Sequence, residues 1–123
     1  MLYKQFLKES REKQIQSFTN FVKDYLGLDS LPKIVIINDP QFSITNKTFG
    51  CFDLENDIIK IQIANRHPLD VFRTLSHELV HYQQKKSGKE MSGETGSDCE
   101  NEANSVAGEI MRNYTKTIQN HGY

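Results

Sequence analysis

The chain has 123 residues, a net charge of −1, 37% hydrophobic and 25% charged residues. That size sets the scale of one compact domain with one core, and it leaves no room for a separate substrate domain. The near-neutral charge gives no global basic field, so no direct nucleic-acid partner is expected.

No apolar run reaches the roughly 20 residues that span a bilayer, and no apolar stretch marks a secretory signal. The sequence therefore predicts a soluble, cytoplasmic protein with no membrane partner. The two cysteines, Cys51 and Cys99, do not form a C-x-x-C pair. They read as free thiols in a reducing compartment.

In chain order, residues 3–27 predict an amphipathic helix. Ile15, Phe18, Val22 and Tyr25 recur at helical spacing, and Gly27 is a natural stop. Lys4, Lys8 and Lys13 alternate with Glu9 and Glu12, the pattern of a solvated face. Residues 33–38 contain the run Ile34-Val35-Ile36-Ile37, expected as a strand buried on both faces and broken by Asp39-Pro40. Residues 48–53 and 58–64 predict a β-hairpin turning near Asn56-Asp57, since Ile59, Ile61 and Ile63 alternate with Lys60 and Gln62.

A helix is expected over 68–86, opened by Pro68 and striped by Leu69, Phe72, Leu75, Leu79 and Tyr82. Residues 87–97, rich in Gly, Ser and Lys, predict a loop. A last helix is expected over 98–116, carrying Ala103, Val106, Ala107, Ile110, Met111 and Tyr114. The tail 119–123 reads as frayed. The order helix, three strands, helix, helix implies an α+β fold: a small three-stranded sheet covered by helices.

The helix over 68–86 contains His77-Glu78-Leu79-Val80-His81, an H-E-x-x-H motif. Spacing of four places both imidazoles on one face, one turn apart, within reach of one metal ion. Glu78 then lies beside the metal, placed to take a proton from water. A catalytic zinc site needs a third protein ligand and one open position. Glu100 and Glu102 are the candidates, and about 200° of helical rotation separates them, so only one can face the metal. Glu100 lies on the stripe of Ala103, Ala107, Ile110 and Tyr114, whereas Glu102 lies near its edge. Asn104 shares the face of Glu100 and could fix a ligand histidine through its second nitrogen. The plainer alternative is that both glutamates are first-turn charges favoured by the helix dipole.

His77-Glu78-Leu79-Val80-His81 followed by Glu100-Asn101-Glu102-Ala103-Asn104 resembles the gluzincins, zinc peptidases with a His, His, Glu ligand set. Size and element order look like the minimal members, the minigluzincins, and the E-x-x-A-N pattern is similar to that of ImmA/IrrE-type proteases. The resemblance covers about residues 48–110. It implies one Zn2+ per chain held by His77, His81 and Glu100, with Asn104 behind them and Glu78 as general base and acid. Asn104 stands where several gluzincin branches carry Asp.

The resemblance further implies a peptide or protein substrate bound extended along a sheet edge, for which Thr48-Phe49-Gly50-Cys51-Phe52 is the candidate strand. Tyr82, Tyr114, His67 and His121 are available as oxyanion donors, and the sequence does not rank them. His67 suits a helix start, Tyr82 suits the core and Cys99 suits a buried small residue. A tail carrying His121 could cap the site. A zinc-binding interaction module, a protease dedicated to one regulatory partner and an amidase for cell-wall peptides are the competing readings.

Overall fold

The structure, a computed structural model, describes residues 10–88 and 97–119. Within them the order is α1 (Arg11–Leu26), β1 (Lys33–Ile37), α2 (Pro40–Asn46), β2 (Gly50–Asp53), β3 (Ile58–Gln62), α3 (Pro68–Lys86) and α4 (Asp98–Gln119). The fold is α+β, with four helices among the described residues and a three-stranded mixed sheet. The expectations for residues 3–9, for most of the loop 87–97 and for the tail with His121 lie outside the described residues.

The sheet runs β1-β3-β2. β1 pairs with β3 in parallel, and β2 pairs with β3 antiparallel as the expected hairpin. At the hairpin turn, Asp53 Oδ1 accepts from the N–H groups of Glu55 and Asn56. Asp57 there takes a left-handed φ of 54°. Lys85 and Lys86 at the end of α3 hold the Asp57 carboxylate at 2.6 and 3.3 Å, which pins the turn to that helix.

Register places Ile34, Ile36, Ile59, Ile61, Phe52 and Gly50 on one sheet face. That face meets the helices, and Ile59 and Ile61 are fully buried. β1 corrects the expectation of a strand buried on both faces. It is an edge strand whose apolar residues are only half-buried, because the helical core covers one side of the sheet.

A second correction concerns Asp39-Pro40. The pair does more than end β1: the Asp39 carboxylate caps α2 by accepting from Gln41 N–H, and Pro40 supplies its first turn. α2 lies over the outer sheet face, where Gln62 Nε2 donates to Ser43 Oγ. Gln62 is thereby buried.

The core joins α1, α3, α4 and the inner sheet face. Phe18 stacks on Phe72 with ring centroids 4.4 Å apart, and Tyr114 meets Phe18 edge-on at 4.8 Å. Such contacts add about 0.5–1.5 kcal/mol beyond area burial. Tyr25 departs from the expected α1 stripe: it is 41% exposed, with its hydroxyl near Glu109 and Asn113 at 3.4 Å. Gly27 ends α1 in a left-handed turn (φ 67°), and Leu28 N–H returns to Lys23 O at 2.9 Å.

Candidate metal centre

α3 begins as its sequence dictates. His67 is the N-cap, its Nδ1 accepting from Leu69 N–H, and Pro68 opens the first turn. α4 begins at Ser97, whose hydroxyl accepts from Glu100 N–H at 3.2 Å. This cap leaves the Glu100 side chain free to cross to α3 rather than fold back on its own helix.

The crossing brings the donor atoms of three side chains together. Glu100 Oε2 is 3.1 Å from His77 Nε2, Glu100 Oε1 is 2.9 Å from His81 Nε2, and the two Nε2 atoms are 3.1 Å apart. Tetrahedral zinc with ligands at about 2.0 Å puts its donor atoms roughly 3.3 Å apart, so the spacing suits one such ion. Glu78, His77 and His81 offer ligand atoms within 4.8 Å of one another, which puts the Glu78 carboxylate beside the cluster.

Glu102 points elsewhere. Its Oε1 accepts from Gln84 Nε2 at 2.8 Å. Gln84 is 1% exposed, and its amide nitrogen also donates to Cys99 O at 3.0 Å. With both amide hydrogens engaged by acceptors, the oxygen faces His81 Nδ1 at 2.7 Å. His81 must therefore carry a proton on Nδ1, and in the neutral ring its Nε2 is a bare lone pair. That lone pair lies 2.9 Å from a carboxylate oxygen. Two acceptors at this distance attract only through a proton or a cation between them, and the His, His, Glu donor set matches zinc.

Gln84 was not legible as a site residue. In Tyr82-Gln83-Gln84-Lys85 it looks like one more solvated side chain, and only its position three after His81 hints at the contact.

Asn104 hydrogen-bonds the His77 ring, one helical turn after Glu100. Burial lowers the His77 pKa below 6.5, the neighbouring His81 adds to this, and Glu100 and Asn104 oppose it. The net effect favours the neutral imidazole that a metal needs. Burial raises the Glu78 carboxyl to about 7, with His81 opposing and Glu100 reinforcing the shift.

The cluster opens into a cleft of about 770 Å³. β2 forms one wall and has no strand partner on its outer edge among the described residues. A Cβ on Gly50 would lie 2.7 Å from Thr74 Cγ2, so only glycine lets this strand approach α3 so closely. Phe49 is 48% exposed at the rim, with the Arg66 guanidinium 4.2 Å from its ring centroid.

Among the described residues, the expected oxyanion candidates Tyr82, Tyr114 and His67 do not line this cleft. Tyr82 is buried with its hydroxyl 2.8 Å from Ser30 Oγ, and Tyr114 sits in the aromatic core. The donors lining the cleft include Arg73, Asn101 and Asn104. Neither Cys51 nor Cys99 is in a disulfide. No helix among the described residues is long and apolar enough to cross a membrane. No protein-family model, curated protein or solved structure matches the chain, so the functional reading rests on the site itself.

Proposed function

We propose that the chain is a zinc-dependent metallopeptidase of the gluzincin type, working at His77, His81 and Glu100. The observation that carries this reading is the convergence of two imidazole nitrogens and one carboxylate at 2.9–3.1 Å, beside a buried Glu78. Zinc at such a site supplies a Lewis acid that polarises a carbonyl and makes water a nucleophile near neutral pH. Glu78 takes the proton of the attacking water on its carboxylate and delivers it to the departing amine nitrogen. A pKa near neutrality suits a group that must both accept and release a proton.

His81 is oriented by Gln84 and His77 by Asn104, so neither ring must be ordered when the metal binds. The substrate lies extended along the outer edge of β2, where backbone pairing orients a peptide without regard to its side chains. A cytoplasmic location belongs to this proposal. It is supported by the two cysteines outside any disulfide and by the absence of a membrane-crossing helix among the described residues.

The test compares parent and Glu78→Gln for zinc content and for cleavage of unfolded casein. Equal zinc with cleavage reduced at least about a hundredfold is the expected result. A parent that binds zinc and cleaves no peptide would overturn the reading in favour of a zinc-binding interaction module.

A further inference from the structure

The cleft does not end at the metal cluster. α3 and α4 pack side by side, and their facing residues form a second groove of about 410 Å³. Arg73 lines both cavities, so the groove continues the cleft. Arg73 is one turn before His77 on α3, and Arg112 is two turns after Asn104 on α4. Gly108, midway between Asn104 and Arg112, keeps the groove floor low: a Cβ there would meet only Arg112 Nη1, at 3.6 Å.

The lining of this continuous track is basic. Lys47 lines the cleft, Arg73 lines both cavities, and Arg112 and Lys116 line the outer groove. All four are exposed, and none forms an ion pair with another described residue. Asp70 is the acidic residue of the outer lining, and Glu78 and Glu100 belong to the metal cluster. A chain of net charge −1 therefore concentrates unpaired cations along the path that leads away from its cleft.

We propose that this track selects an acidic peptide substrate, with Asp or Glu side chains about two to three residues to one side of the scissile bond. This specificity rests on the peptidase reading. One helical turn is about 5.4 Å and two are about 11 Å, whereas an extended peptide advances roughly 3.3 Å per residue. Arg73 thus serves a carboxylate about two residues from the bond, and Arg112 one about three residues away. A peptide fits better than a nucleic acid because the track opens beside the free edge of β2, which pairs with a polypeptide backbone.

Binding separates this specificity from catalysis. In zinc-loaded Glu78→Gln, fluorescence anisotropy would follow a labelled ten-residue peptide carrying Asp and Glu, and its Asn and Gln counterpart. The acidic peptide is expected to bind about tenfold more tightly at low salt. The preference should shrink in 0.5 M NaCl and vanish when Arg73→Gln and Arg112→Gln are added. Equal binding of both peptides, binding of neither, or tighter binding of a single-stranded oligonucleotide of equal charge would overturn the proposal.

Cleavage by the parent enzyme then separates the two readings. Cleavage without preference for the acidic peptide leaves the peptidase standing and removes the track. Acidic preference in binding, with no peptide cleaved, removes the peptidase and with it the substrate role assigned to the track.

Discussion

His81 Nδ1 and Gln84 Oε1 lie 2.7 Å apart, and this contact decides which nitrogen of His81 is left as a lone pair. The Gln84 amide cannot turn over, because its nitrogen donates to Cys99 O and Glu102 Oε1. A glutamine outside the H-E-x-x-H motif thus sets the tautomer of a histidine inside it, and Glu102 acts through Gln84.

Gln84→Met tests this relationship. The substitution keeps the volume and removes the acceptor. Zinc affinity, measured by competition with a chromophoric chelator, is expected to fall about 10–100-fold. Buried partners left without a bond should also lower stability by about 1–3 kcal/mol in urea titrations. Unchanged zinc affinity would show that His81 needs no orienting partner.

Glu78 gives the metal-free protein a pH dependence of definite sign. Its carboxyl ionises at about 7 in the fold against an ordinary value of 4.5. The stability it contributes is fully present below pH 4.5 and is lost as pH rises through about 7. At about 1.4 kcal/mol per unit the loss is on the order of 3 kcal/mol. His77 works in the opposite sense. Its lowered pKa gives stability that is present above its ordinary 6.5 and lost as pH falls through the folded value. Subtracting the Glu78→Gln curve removes the His77 part. Urea titrations with chelator present, from pH 4.5 to 8, should show the parent losing roughly 3 kcal/mol relative to Glu78→Gln. A flat difference would contradict the burial argument.

Gly50 is where the cleft wall meets α3. Gly50→Ala forces a Cβ against Thr74 Cγ2 at 2.7 Å and Ile61 Cδ1 at 3.0 Å. A destabilisation of about 1–3 kcal/mol is expected. Adding Thr74→Ser removes the Thr74 methyl and keeps the hydroxyl that accepts from Arg66. Thermal denaturation should therefore show partial recovery in the double variant, with the Ile61 contact remaining. No recovery would mean that Ile61, or the strand backbone, absorbs the strain.

Much of this architecture is legible in the sequence where one local rule dominates. Pro68, the stripe through Phe72, Leu75 and Leu79, and the terminal Lys85-Lys86 define α3, observed over Pro68–Lys86. Alternation at Ile59 and Ile61 defines β3 and its buried face. The failures come where one pattern serves two structures. Four apolar residues in a row fit a central strand or a half-buried edge, and only the sheet order decides for β1. Asp39-Pro40 ends a strand and also starts a helix, and α2 is too short to show a periodicity of its own. The orientation of the Gln84 amide depends on how α3 and α4 meet, which no local pattern encodes.

The most direct measurement of the central claim is zinc per chain in the purified protein, beside Glu100→Ala and Glu102→Ala. One zinc in the parent, none in Glu100→Ala, and a retained but weaker site in Glu102→Ala is the predicted result, since Glu102 holds the Gln84 amide that faces His81. A parent that binds no zinc after reconstitution would contradict the metal centre itself, and loss confined to Glu102→Ala would contradict its third ligand.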